Sequence, residues 1–181
     1  MLNQAQKSQL LTLARDVISS HLHSESYGVP EDSAFKQKCG LFVTLHKGGN
    51  LRGCIGYIKG YKTITESIRE LAMAAAFRDP RFPPLKASEL PDITIEMSLL
   101  SPMAAVQDIS EITIGRDGLY LEHPRSSGLL LPQVATEQRW DRDTFLRQVC
   151  RKAGLPDQAW QDEGAKLYRF TAEIFSEELP G

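Results

Sequence analysis

Apolar positions in this chain fall into two periods that alternate along its length. Leu10, Leu11, Ala14, Val17, Ile18 and Leu22 recur at helical spacing and predict an opening helix, closed by Gly28-Val29-Pro30. Cys39 to Leu45 is rich in β-branched and aromatic residues and reads as a strand, followed by a turn at Lys47-Gly48-Gly49-Asn50 and a returning antiparallel strand from Leu51. The helical period resumes from about Ile64 to Phe77. Its buried stripe is Ile64, Ile68, Leu71, Ala72 and Ala75, and Thr63 and Glu66 stand at capping-box spacing. Asp79-Pro80-Arg81-Phe82-Pro83-Pro84 ends it, because proline cannot continue a helix. Asp92 to Leu100 then alternates as a half-buried strand, with Ile93, Ile95, Met97 and Leu99 inward and Thr94, Glu96 and Ser98 outward.

The second half repeats this order. Gly118 to His123 echoes the Gly40 strand, Pro124 to Gly128 is a turn, and Leu129 to Val134 reads as a strand in the place of the Leu51 strand. A helix runs from Asp141 to Gly154, and Leu167 to Phe175 alternates as a closing strand. The pattern predicts an α+β fold of two hairpin–helix–strand halves on antiparallel sheet, with a groove where the halves meet. The predicted organisation is one domain over 1–181, with a helical region at 1–30 and repeats at 38–102 and 111–176.

Composition narrows the functional classes. The 21 basic and 23 acidic residues give a formal charge of -2, which argues against a general nucleic-acid binder. The basic run Arg139, Arg142, Arg147, Arg151 and Lys152 reads as a solvated helix face. No apolar run has the length of a membrane span, and the N-terminus lacks a signal-peptide core. Three cysteines without a CxxC pair fit a cytoplasmic protein with reduced thiols.

Candidate chemistry concentrates in Leu51-Arg52-Gly53-Cys54-Ile55-Gly56-Tyr57. Glycines in a strand mark a bulge or a close approach by ligand or backbone, which makes Gly53 and Gly56 candidate ligand contacts. Regular alternation puts Arg52, Cys54 and Gly56 on one face, with Arg52 and Cys54 about 7 Å apart at the backbone. A neighbouring cation favours thiolate, so Cys54 is a candidate nucleophile biased by Arg52, against the alternative of a packed, inert cysteine. Arg52 is either an anion-binding group or the structural partner of Glu96. Asp79 and Arg81 occupy a proline-rigidified corner that helix termination explains, with Asp79 capping and Arg81 paired to an acidic neighbour. His123, at a strand end, is a candidate general base or an exposed turn histidine. His21, His23 and His46 lack metal-ligand spacing, and Cys39 and Cys150 fall at ordinary burial positions. No HExxH, P-loop or GxGxxG motif is present, so the sequence names no metal or cofactor.

Six segments, in order, resemble the AMMECR domain family, called AmmeMemoRadiSam system protein A in prokaryotes. They are Leu51-Arg52-Gly53-Cys54-Ile55-Gly56, Asp79-Pro80-Arg81-Phe82, Ile95 to Pro102, Gly115-Arg116-Asp117-Gly118-Leu119, Leu130-Leu131-Pro132-Gln133-Val134 and Lys152-Ala153-Gly154-Leu155-Pro156. The resemblance runs from about Gly40 to Phe175. It implies a two-lobed α+β domain whose arginine–cysteine strand lines a cleft walled by the Asp79–Arg81 corner, and it adds Asp79, Arg81 and Gln133 to the ligand-binding candidates. It also implies Memo-like and radical-SAM proteins as partners. No reaction comes with it. The expected activity is binding of a small anionic ligand or modified group, as a thiol enzyme using Cys54 and Arg52 with Glu96 or His123 moving protons. The alternative is a non-catalytic adaptor using the same groove.

Overall fold

The computed structural model describes residues 1–178 and contains two compact units, Met1–Leu100 continued from Glu173, and Ser101–Ala172. The fold is α+β with two four-stranded antiparallel sheets.

In the first unit, α1 (Gln4–His23) starts at a capping box in which Asn3 and Gln6 satisfy each other's backbone N–H. Strands β1 (Leu41–Lys47) and β2 (Asn50–Tyr57) form a hairpin closed by Gly48 and Gly49. Both glycines have positive φ, +58° and +79°, as a two-residue hairpin turn requires. Helix α2 (Ile64–Phe77) begins at the Thr63–Glu66 capping box and buries the stripe Ile64, Ile68, Leu71, Ala72 and Ala75. Strand β3 (Ile93–Leu100) pairs with the other side of β1. Leu41, Val43 and Leu45 of β1 and Ile95 and Met97 of β3 are fully buried in one core with Leu10, Ala14, Ile18 and Ile68. Helix α1 therefore docks on its own chain.

In the second unit, β4 (Ala104–Ala105), β5 (Gly118–Glu122), β6 (Ser127–Leu130) and β7 (Lys166–Phe170) form the sheet, with order β4-β7-β5-β6. Helices α3 (Pro132–Glu137) and α4 (Arg142–Lys152) lie between β6 and β7. Leu119, Leu121, Phe145, Leu146, Val149 and Cys150 centre the core.

The halves share a topology. β2-β1-β3 and β6-β5-β7 have the same order, so each is a hairpin with a third strand beside its first member. Two expectations are corrected. The segment Leu129 to Val134 is not one strand: β6 ends at Leu130, and Pro132 opens α3, where its fixed φ and missing N–H suit the first turn. The alternating stretch from Leu167 to Phe175 divides at Thr171, with β7 in the second sheet and β8 (Ala172–Ser176) beside β3 in the first.

Candidate functional site

Cys54 reaches its position through a fault in the hairpin register. The two-residue turn pairs Lys47 with Asn50 and His46 with Leu51, and an unbroken ladder would pair Leu45 with Arg52 and Val43 with Cys54, pointing both into the core. Instead Leu45 pairs with Gly53. Arg52 is the extra residue of a β-bulge, and from Gly53 onward every side chain changes face. Cys54 now stands opposite Thr44, which in turn stands opposite Glu96 on β3, on the face away from α1 and α2. Thr44 Oγ1 lies 3.2 Å from Cys54 Sγ.

The two signature glycines admit parts of the protein itself. A Cβ on Gly53 would lie 2.1 Å from the Ala75 carbonyl oxygen, so only glycine lets α2 approach β2 this closely. At Gly56 the space is filled by the Phe42 ring, 2.3 Å from where a Cβ would be. The expected ligand approach at these positions is thus an approach by helix and ring.

β2 is an edge strand, and its outer side is covered at Cys54 by the segment that follows α2. The buried Asp79 carboxylate accepts the Cys54 N–H at 3.0 Å (Oδ2) and the Arg81 N–H at 3.1 Å (Oδ1). Arg81 forks back onto it, Nε to Oδ1 at 3.0 Å and Nη2 to Oδ2 at 2.7 Å, and Nη2 also donates to the Cys54 carbonyl at 3.2 Å. Both backbone groups of Cys54 are therefore held by one carboxylate–guanidinium pair. The Arg81 fork holds the Asp79 carboxyl well below the usual carboxylate range. The Arg81 side chain as a whole stays about half exposed, at 49 %.

Burial pushes the Cys54 thiol above its ordinary value, against the opposing Thr44 hydrogen bond and the Arg81 charge; the Asp79 and Glu96 charges add to the rise. The cation that biases the thiol is Arg81, not Arg52. Arg52 is buried and forks onto Glu89, Nε to Oε1 at 3.1 Å and Nη2 to Oε2 at 3.2 Å, with a further bond from Nη2 to the Pro83 carbonyl at 2.8 Å. Of the two alternatives for Arg52 the structural one is met, with Glu89 rather than Glu96 as the partner. Lys47 joins Glu89 at 3.0 Å. The Arg52 fork, the Lys86 N–H and Lys47 bring the Glu89 carboxyl down to about 2.

The remaining candidates lie in the second unit. The His123 ring is buried and engaged rather than exposed: Nδ1 accepts the Arg125 N–H at 3.1 Å, so Nε2 carries the proton that meets Asp162 at 2.9 Å. This ring closes the β5–β6 turn. Gln133 sits in the first turn of α3, not on a strand. In the basic run, Arg151 forks onto Asp157 at 2.7 and 2.8 Å, and Arg142 donates to the Ile112 carbonyl at 3.1 Å.

Sequence reasoning missed Glu89, Thr44 and Phe82. The two-residue turn offered a signal for Thr44, one bulge away from its true partner. Glu89 had only its Lys86–Glu89 spacing, which forms a backbone cap as well as the pair with Arg52. Among the described residues, no group of three or more His, Cys, Asp or Glu is arranged to hold a metal ion. Nor, among them, is any helix long and apolar enough to cross a membrane.

Comparison with known proteins settles the family. The AMMECR1 family model matches residues 11–175. The chain belongs to the AMMECR1 family. A protein of Methanothermobacter thermautotrophicus is 46% identical over 178 residues, covering 93% of each chain. Protein TK0174 of Thermococcus kodakarensis is 44% identical over 94% of this chain and 90% of its own. The crystal structure of the uncharacterized protein PH0010 from Pyrococcus horikoshii superposes with a TM-score of 0.87 at 41% identity, covering 94% of this chain and 91% of that one. In this AMMECR1-family chain, the Arg52–Cys54 strand and the Asp79–Phe82 corner, far apart in sequence, are bonded to each other.

Proposed function

We propose that the sheet face around Cys54 binds a small anionic ligand or modified group against Arg81 and presents it to the Cys54 thiol. The observation that carries this reading is the Asp79–Arg81 pair closed on both backbone groups of Cys54. It fixes a thiol and a half-exposed guanidinium side by side, with a buried carboxylate orienting the guanidinium. Such an arrangement is preorganised for an anion next to a nucleophile. In the thiol-enzyme form of the proposal, Cys54 Sγ forms a bond to an electrophilic centre of the bound ligand as the bond from that centre to its leaving group breaks, the leaving group departing with the bonding pair. The thiol proton leaves by way of the Thr44 hydroxyl, with Glu96 as the carboxylate of the row.

The test compares alkylation of Cys54 by iodoacetate and by iodoacetamide, in a Cys39→Ala, Cys150→Ala background. The two reagents share a leaving group and differ in charge. An iodoacetate preference above that of a free thiol, abolished by Arg81→Ala, supports the proposal. Equal rates with both reagents, unchanged in Arg81→Ala, overturn it.

A second reading, the non-catalytic adaptor, draws on the raised thiol: a partly buried group held as neutral Cys54–SH is a poor nucleophile at neutral pH. In this form Arg81 grips a carboxylate of a protein partner, proposed as a Memo-like or radical-SAM protein in a reducing cytoplasm, to which three free cysteines are suited. Coexpression with such a partner tests it. A stoichiometric complex lost on Arg81→Glu supports the adaptor, and no complex with either partner removes it.

A further inference from the structure

The bulge takes Arg52 away from the thiol and puts it on the segment that carries Arg81. Residues 79–86 form a strap of irregular backbone between α2 and the short 3-10 turn Ala87–Asp92. Pro80, Pro83 and Pro84 have no N–H, so this strap has few backbone bonds of its own: Phe82 N–H to the Asp79 carbonyl at 3.1 Å and Leu85 N–H to the Ala76 carbonyl at 2.8 Å. Asp79 ties its beginning to Cys54. Arg52 ties its other end, through the Pro83 carbonyl at 2.8 Å and through Glu89 beyond it. Between these ties lies Phe82, whose ring centroid is 5.9 Å from the Arg52 guanidinium carbon and 5.5 Å from that of Arg81. Arg52 Nη1 is buried without a hydrogen-bond partner, so part of this buried cation is left without a polar contact.

We infer that Arg52 is a positioning residue for the thiol site: by holding Pro83 and Phe82 it sets where Arg81 stands beside Cys54. The inference rests on the reading of Cys54 and Arg81 as one site. It gives the two arginines of the signature segments different tasks. Arg81 supplies charge at the thiol, and Arg52, its own charge matched by Glu89, supplies geometry. A buried bidentate pair suits this task because the planar fork fixes orientation as well as distance.

The experiment reads the pH profile of Cys54 alkylation by iodoacetamide in the Cys39→Ala, Cys150→Ala background, together with the iodoacetate preference. Variants are Arg52→Ala, Glu89→Gln, Phe82→Leu and Arg81→Ala, each checked for folding by circular dichroism. Arg81→Ala is expected to shift the profile upward, because the thiolate loses its cation. Positioning predicts that Arg52→Ala and Glu89→Gln also shift it upward and weaken the iodoacetate preference, with no further shift when combined with Arg81→Ala.

Glu89→Gln is the discriminating variant. It removes a negative charge, so a direct electrostatic effect on Cys54 would move the profile downward. A downward or absent shift in Glu89→Gln, or full additivity of Arg52→Ala with Arg81→Ala, overturns the inference. Should Arg52→Ala fail to fold, Glu89→Gln decides it together with Phe82→Leu, which removes the ring held beside both guanidinium groups and should also shift the profile upward. An Arg81→Ala variant that itself changes nothing defeats the site reading; a change in Arg81→Ala alone defeats only the role given to Arg52.

Discussion

The Asp79 carboxylate accepts the Cys54 amide hydrogen at 3.0 Å across 25 positions of sequence, and the guanidinium that forks onto that carboxylate returns to the Cys54 carbonyl at 3.2 Å. At this one residue of an edge strand, a charged pair thus takes the place of the missing neighbouring strand. This makes the costs of truncation asymmetric. Arg81→Ala takes the guanidinium off a carboxylate that is 2 % exposed in the intact pair, whereas Asp79→Asn removes that charge and leaves a half-exposed arginine. Arg81→Ala should therefore cost about 3 kcal/mol and Asp79→Asn roughly 2 kcal/mol. The double variant should be more stable than Arg81→Ala alone. Urea denaturation of the three variants checks the order.

Acid should loosen the same region from its other end. Glu89 titrates at about 2 in the folded chain against an ordinary 4.5, so the unfolded chain binds the extra proton between those values. Its contribution is complete above about pH 4.5 and is lost as pH falls toward 2. Asp79, also depressed, acts in the same direction. The expected outcome is a urea midpoint that drops from pH 5 to pH 3. In Glu89→Gln the midpoint should be lower at pH 7, with a shallower drop on acidification. An equally steep drop in Glu89→Gln would show that other carboxylates set the acid limit.

Much of this was legible because local chemistry decides it. The Thr63–Glu66 cap, the α2 stripe and the Gly48–Gly49 turn are each specified within a few residues. What escaped was the consequence of one inserted position. Alternation counted through Arg52 puts it with Cys54 and within reach of Glu96; the bulge breaks that count and delivers Arg52 to Glu89. Neither Glu89 nor Phe82 bears any periodic relation to the strand, since the tie between them is tertiary. Leu129 to Val134 misled for a different reason: a continuous apolar run fits strand and buried helix alike, and Pro132 was the cue that separated β6 from α3. At Gly53 and Gly56 the sequence correctly marked close approach but not by what.

Gly53→Ala measures that approach. The added methyl meets the Ala75 carbonyl oxygen at 2.1 Å, a backbone atom inside α2 that cannot rotate aside, so strand and helix must part. The expected cost is about 3 kcal/mol, at the upper end for overpacking. Gly28→Ala is the control, because a Cβ there meets nothing within 4 Å, and its effect should stay within about 0.5 kcal/mol. Equal urea midpoints for the two variants would refute the packing account of the signature glycine.

The thiol itself gives the last prediction. Burial raises Cys54 above its ordinary value and outweighs both the Thr44 hydrogen bond and the Arg81 charge. In the Cys39→Ala, Cys150→Ala background, iodoacetamide should therefore label it slowly near pH 7, with the rate climbing only above the range of an ordinary thiol. Thr44→Val removes the hydroxyl partner at 3.2 Å while keeping the bulk, so the climb should move to still higher pH. Glu96→Gln removes a charge that opposes ionisation and should move it lower. Opposite displacements by these two residues, one on β1 and the other on β3, would establish that both members of the Cys54–Thr44–Glu96 row act on the thiol. A profile centred below the ordinary thiol value in the parent would mean that Arg81 dominates burial, and the thiol would then be a resting nucleophile.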